Sequence, residues 1–117
     1  MIAHIVLFTP KSGLTDEQLR LFAQTALDTC SSIPAISRVM IGRSIRVEPG
    51  YQRPIGDTTY QFAAIFEFAD TAGLLSYLRH PKHETLGQLF WEACEATTIL
   101  EVEARSPDGW SISELLA

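Results

Sequence analysis

Four side chains in this sequence are suited to proton transfer near neutral pH, and three of them stand close together. Tyr77, His80 and His83 surround a proline at position 81, while His4 lies near the start of the chain. A neutral imidazole, with a free pKa of about 6.5, is suited to act as a base near pH 7. A tyrosine hydroxyl is suited to orient that base or to donate a hydrogen bond to a carbonyl oxygen. These residue types indicate acid–base chemistry.

Each of the four residues also has a structural interpretation. His80 directly precedes the proline at position 81, so it is expected to cap a helix that begins there. His83 is either an exposed residue of the first helical turn or a pocket residue. His4 is either a hydrogen-bonded core histidine or part of a site. Tyr77 either packs with its hydroxyl at the surface or faces the pocket.

Composition and charge limit the partners that the chain can have. Its 117 residues, 46% of them hydrophobic, are typical of one globular domain. Nine basic and fourteen acidic residues give a net charge of -5, and the absence of a basic run argues against nucleic acid and membrane partners. No apolar run has the length of a membrane span, and the first residues lack the basic head of a signal peptide.

The sequence predicts neither a metal nor a cofactor. His80, His83 and Glu84 lack a further close ligand, and no phosphate-binding glycine motif is present. The two cysteines, Cys30 and Cys94, both fall within apolar helical patterns and are interpreted as buried free thiols. Free thiols are typical of a reducing compartment, so we expect the protein to be cytoplasmic.

Hydrophobic periodicity predicts four strands and three helices. Period-two alternation or short apolar runs mark the strands, at residues 2–8, 36–47, 58–68 and 97–104. The helices are expected to start at caps provided by Thr15, Asp70 and His80. A polar loop over residues 48–57 is interpreted as an insertion or a mobile lid.

This order of elements is that of an α+β, ferredoxin-like βαββαβ domain with a four-stranded antiparallel sheet. The domain is predicted to span residues 1–104, followed by a C-terminal tail over residues 105–117. Helices on one face of the sheet would leave the other face bare, although it carries apolar residues on several strands. A homodimer, closing into an α+β barrel, would cover that face.

Several segments resemble the stress-responsive A/B barrel domain family, in register from about residue 2 to residue 103. They are HIVLF at 4–8, IPAI at 33–36, VMIGR at 39–43, EFAD at 67–70 and YLRHPKH at 77–83. The resemblance implies a dimeric α+β barrel. One enzymatic branch of that family, typified by plant olivetolic acid cyclase, closes a linear polyketide thioester by aldol condensation.

The resemblance to that branch also implies roles for individual residues. His4, Tyr77 and His83 match its first-strand histidine, its helix tyrosine and the histidine after its proline. Phe62 stands where the branch has a third-strand histidine, so one polar group of the pocket is missing. We expect His83 to act as the base, Tyr77 to orient it and His4 to support both.

A pocket between sheet and helices would bring these residues into contact with a ligand. Its wall is predicted to be apolar, formed by Phe22, Leu27, Tyr60, Phe62, Phe66, Leu89 and Phe90. Three functions remain open: binding of a small hydrophobic or aromatic molecule, a cofactor-free cyclase or other lyase, and a non-catalytic oligomeric stress protein. A cavity beside His4 and His83 is required by the first two and not by the third.

Overall fold

A computed structural model describes residues 1–45 and 60–117. The predicted order of elements is confirmed, with bounds β1 Ile2–Pro10, α1 Asp16–Ser31, β2 Arg38–Arg43, β3 Phe62–Phe68, α2 Thr71–Leu78, α3 Pro81–Ala93 and β4 Cys94–Glu103. The strands form one antiparallel sheet in the order β2-β3-β1-β4, which is the ferredoxin-like arrangement. The predicted loop at 48–57, and the strand ends predicted at 47 and 58, lie outside the described residues.

All three helices begin at the caps that the sequence predicts. Thr15 and Gln18 form a reciprocal capping box, with backbone-to-side-chain distances of 2.8 and 3.1 Å. The side chains of Asp70 and His80 accept backbone N–H groups at the starts of α2 and α3. Pro81 is the first residue of α3, where its missing N–H has no helical partner to lose. These local signals fix where each helix enters the layer above the sheet.

The junction between α3 and β4 differs from the prediction. β4 begins at Cys94, immediately after α3, whereas the sequence predicted a start at Thr97. The assignment of Cys94 to a helical pattern was therefore wrong, since its backbone is extended with φ -109° and ψ 138°. The Lys11 amide donates to the Ala93 carbonyl at 2.8 Å, which ties this junction to the end of β1. Apolar spacing continues across the boundary, so periodicity alone gave no signal for it.

The helices cover one face of the sheet and form the core with it. Alternate residues of β1 and β3 point toward them and are buried: His4, Val6, Phe8, Ala64, Phe66 and Phe68. The opposite face also carries apolar side chains, among which Met40 and Leu100 are 39% and 58% exposed. Within the described part of the chain, these two side chains stay open to solvent.

The C-terminal tail contains a 3-10 turn, Pro107–Gly109, and a short helix α4, Ile112–Leu115. Arg105 links the tail to the end of β4. Its guanidinium lies 4.2 Å from the ring centre of Trp110 and 2.7 Å from a carboxylate oxygen of Glu103. None of the helices in residues 1–45 and 60–117 has the length and apolar character needed to cross a membrane.

Candidate functional site

The centre of the site is a hydrogen-bonded pair formed by His4 and Glu101. His4 lies on β1, with only 3% of its surface exposed, and Glu101 stands directly opposite it on β4. The His4 Nδ1 atom lies 2.7 Å from Glu101 Oε1. An ionised carboxylate only accepts hydrogen bonds, so Nδ1 donates in this contact, and the neutral form of the imidazole is the Nδ1–H tautomer. The pairing also fixes the orientation of the ring.

Tyr77 and His83 pack against this pair from the helical layer. The Tyr77 ring centre lies 5.5 Å from that of His4 and 4.7 Å from that of His83, both in edge-to-face geometry. Tyr77 is 1% exposed, because Phe66 and Phe68 also pack on it. The structure therefore brings His4, from the start of the chain, together with Tyr77 and His83.

A cavity of about 280 Å³ opens beside these three side chains. Apart from them, its wall is almost entirely apolar and comes from β1, β3, α3 and β4: Val6, Phe66, Leu86, Gly87, Phe90, Trp91, Thr97 and Ile99. Phe66 and Leu86 are buried on its inner side, whereas Trp91 and Ile99 are 83% and 56% exposed at its mouth. The cavity is thus a cleft with a fixed floor and an open rim.

Burial and neighbouring charge keep two of the titratable groups neutral. The pKa of His83 is lowered, first by desolvation and then by the positive charge that His4 can carry, with partial compensation from the Leu78 carbonyl and Glu101. Desolvation, with smaller contributions from Cys30 and Glu101, raises the pKa of the Tyr77 hydroxyl above its usual range. Near pH 7 the cleft therefore presents a neutral imidazole and a phenol that holds its proton.

A second, larger cavity of about 390 Å³ lies under α1 and separates the predicted wall residues into two groups. Phe22, Leu27 and Phe62 line this second cavity and not the cleft beside His4. Phe66 and Phe90 line both spaces. The wall predicted as one surface is therefore divided between two adjoining cavities.

Two predicted wall residues line neither cavity. Leu89 packs on the edge of the core. The prediction for Tyr60 was wrong, because its hydroxyl hydrogen-bonds the Thr98 hydroxyl. Thr98 pairs with Leu7, whose side chain lies on the face away from the helices. The prediction put Tyr60 on the same face as Phe62 by extending the alternation of β3 to residue 60. β3 begins only at Phe62, so that alternation does not apply to Tyr60.

The sequence profile of the stress responsive A/B barrel domain (Dabb) family matches residues 2–104. The chain belongs to the Dabb family. A comparison with curated proteins found no match.

Solved structures share the fold of this Dabb protein at low sequence identity. A Dabb family protein from Mesorhizobium loti with a ferredoxin-like fold is 24% identical, with a TM-score of 0.70 over 90% of this chain and 97% of that one. The hydroxynitrile lyase from Passiflora edulis is 20% identical, with a TM-score of 0.71 over 90% and 94%. A dimeric ferredoxin-like protein of unknown function from Bacteroides fragilis is 21% identical, with a TM-score of 0.62 over 88% and 95%.

Sequence reasoning missed Glu101, the hydrogen-bond partner of His4. It also missed six residues that line the cleft of the Dabb protein: Val6, Leu86, Gly87, Trp91, Thr97 and Ile99. Glu101 was recognised as a strand residue, but its partner His4 lies 97 positions away. The ferredoxin-like strand order supplies a signal, since it places the first and last strands side by side and their polar residues on the helix-facing side together. Trp91 gave no periodic signal, because it lies at the edge of the apolar stripe of α3.

The described part of this Dabb protein contains no group of three or more His, Cys, Asp or Glu side chains that could hold a metal ion. His80, the third histidine, serves as a helix cap: its Nδ1 atom accepts the Lys82 amide at 3.1 Å. The polar side chains that line the cleft are those of His4, Tyr77, His83 and Thr97, and Glu101 is the hydrogen-bond partner of His4.

Proposed function

We propose that this Dabb protein is a cofactor-free acid–base enzyme. It would remove a proton beside the carbonyl group of a small, largely apolar molecule, as a polyketide cyclase or a related lyase does. The observation that carries the proposal is the buried His4 imidazole, held by Glu101 at 2.7 Å on the wall of an apolar cleft. A base whose tautomer is fixed by a carboxylate and whose second nitrogen is free has the arrangement that proton abstraction requires.

The geometry supports an exchange of the roles expected for the two histidines. His4 has the carboxylate partner, so we assign it the role of the base. His83, whose lowered pKa keeps it neutral, is placed to accept or donate a hydrogen bond to the substrate. The raised pKa of Tyr77 keeps its hydroxyl protonated, so it can donate to the oxygen of the developing enolate.

The size and lining of the cleft favour a small substrate with one polar end. Its volume of about 280 Å³ is just below the usual range for ligand pockets, roughly 300–1,000 Å³. Phe62, at the position where the cyclase branch has a histidine, lines the adjoining cavity instead of the cleft, so the cleft has no polar group from that position. The shared fold of the Passiflora edulis hydroxynitrile lyase supports a lyase by analogy only.

The exchange of carbon-bound protons in a simple ketone tests this proposal without knowledge of the natural substrate. Acetophenone in deuterated water would exchange its methyl protons faster with the protein than with imidazole at equal concentration, as followed by NMR. His4→Gln should slow the exchange by about 10²- to 10⁴-fold, the usual contribution of a general base. Glu101→Gln should slow it less, because the amide oxygen still accepts from Nδ1.

Glu103→Gln is the matched control, since Glu103 lies on the same strand and pairs with Arg105 instead of with a histidine. It should leave the exchange rate unchanged. Wild type that exchanges no faster than His4→Gln would refute the acid–base proposal. If the ketone still binds saturably, the protein is a binding protein. If it does not bind, the oligomeric stress protein is the better description.

We also propose that two copies pair through the face of the sheet that the helices leave bare. Met40 and Leu100 are exposed there, and Ile5, Leu7 and Ile65 are only half-buried. Related structures described as dimeric, such as that from Bacteroides fragilis, support this pairing. Light scattering should give twice the 13.0 kDa chain mass, and Leu100→Glu should give the monomer. A monomeric wild type at micromolar concentration would contradict it.

The two cysteines, Cys30 and Cys94, are free thiols, and burial raises the pKa of each. Such thiols are slow to oxidise because the thiolate is the reactive form. This composition supports a reducing compartment, and we propose the cytoplasm as the location of the enzyme.

A further inference from the structure

The most exposed large aromatic side chain at the cleft is Trp91. It is 83% exposed, although it lines the same cavity as His4 and His83. An indole left in water forgoes a large hydrophobic gain, so a folded chain gains nothing in stability from placing it there. Its position at the mouth of the only described cavity that contains the histidines suggests contact with a ligand.

The sequence of α3 leaves a gap next to this indole. His83, Gly87 and Trp91 are spaced four residues apart, so their side-chain positions lie above one another on one face of the helix. Long side chains in a helix lean back over the preceding turn, which directs the Trp91 ring toward Gly87. A Cβ atom built at Gly87 meets nothing within 4 Å, so the space between the two rings is open.

The strand side of the gap is closed by β4. Thr97 and Ile99 line the cavity opposite α3, and their positions are set by pairing with Phe8 and Val6 on β1. The gap is therefore a slot about two helical turns long, roughly 12 Å, with an imidazole at one end and an indole at the other.

We propose that this slot holds the aromatic ring of the substrate, with Trp91 as the residue that selects aromatic over saturated rings. The inference rests on the proposed function, because it takes the carbonyl group to lie at His4 while the attached ring lies over Gly87 against Trp91. Ring–ring contacts in offset or edge-to-face geometry favour an aromatic ring over an aliphatic ring of equal size.

Two ketones of equal heavy-atom count test the selection: acetophenone and cyclohexyl methyl ketone. Their dissociation constants are measured by NMR titration of the isotope-labelled protein. Wild type should bind acetophenone about 3- to 10-fold more tightly, and Trp91→Leu should abolish this preference. Trp91→Phe should restore most of it, since the ring face is kept. Trp91 is exposed, so these changes should leave the melting temperature nearly unchanged.

Gly87→Leu gives an independent check on the slot. Leucine favours a helix more than glycine does, so the variant should fold at least as well as wild type. It should nevertheless weaken binding of acetophenone by at least about 10-fold, because its side chain fills the space. Trp110→Phe, which changes the tryptophan that packs on Arg105, is the control and should change neither constant.

The outcomes separate this inference from the acid–base proposal. Equal affinity of wild type for the two ketones, an unchanged preference in Trp91→Leu, or no binding of either ketone would each overturn the slot. Exchange of acetophenone protons that depends on His4 would survive the first two results, so the enzyme proposal would stand without the slot. Selective binding without exchange would have the opposite meaning: a slot in a protein that performs no proton abstraction.

Discussion

Replacing Glu101 with alanine should destabilise the protein through His4 alone. The change leaves the Nδ1–H group of a histidine that is 3% exposed without its partner. An unsatisfied buried donor costs about 1–3 kcal/mol. Because the Glu101 side chain is 42% exposed, water can reach the vacated position, which places the expected loss near the lower end, about 1–1.5 kcal/mol.

Urea unfolding at a fixed protein concentration measures this loss. With a slope of about 1–3 kcal/mol per molar urea, the midpoint should fall by about 0.3–1.5 M. The same change in a His4→Phe background should cost less than about 0.5 kcal/mol, because the donor is already gone. Glu103→Ala, which breaks only an exposed ion pair with Arg105, should cost less than about 0.5 kcal/mol in either background.

The comparison of Glu101→Ala in the wild-type and His4→Phe backgrounds can contradict this reasoning. An equal cost of Glu101→Ala with and without His4 would mean that the carboxylate stabilises the sheet by some other contact. The dyad would then not fix the imidazole, and the reasoning that assigns His4 as the base would lose its foundation.

Three further changes test the other groups of the site and its junction. Folding lowers the pKa of His83 below 6.5, so the unfolded chain binds the proton first as the pH falls. The free energy of unfolding of wild type should therefore decrease as the pH falls through about 6.5. Urea titrations at several pH values should show a weaker pH dependence for His83→Gln. Folding raises the pKa of Tyr77 above 10.0, so stability should fall as pH rises through about 10, and Tyr77→Phe should remove that loss. An unchanged slope in either variant would contradict the assignment. His80→Ala should lower the free energy of unfolding by about 1 kcal/mol, because it removes the cap of α3. His80→Asn should keep most of that stability, since asparagine also caps helices, and melting temperatures would show the difference.

Much of the fold could be predicted because its signals are local. Two helix starts are marked within four residues of sequence. The capping box of Thr15 and Gln18 marks the start of α1, and the proline after His80 marks the start of α3. Counting in steps of two correctly grouped the residues of β1 and of β3 that share a face of the sheet. It did not tell which face the helices cover, and the grouping of His4 with Tyr77 and His83 came from the family resemblance.

The parts that were missed depend on register and on side-chain reach. The contact of His4 with Glu101 depends on which residue of β4 stands opposite position 4, and alternation within one strand does not contain that information. Tyr60 lies before the first paired residue of β3, so its side chain is not bound by the alternation of the strand. The apolar wall is divided into two cavities where side chains from three elements meet. The pattern of residues within one segment could not predict that division.

The position of β1 in the sheet has a consequence for how molecules enter and leave the cleft. β1 is hydrogen-bonded on both sides, to β3 and to β4, so its backbone opens only when the whole sheet does. α3 is held to the sheet by side chains and by its ends, so its amides should exchange with solvent by smaller, more frequent openings. His4 therefore lies on the more rigid element, β1, whereas His83 and Trp91 lie on α3, which should move more easily. In the proposed enzyme, movement of α3 away from the sheet would change the separation of His83 from His4, and hydrogen exchange of the α3 amides measures how often such movement occurs.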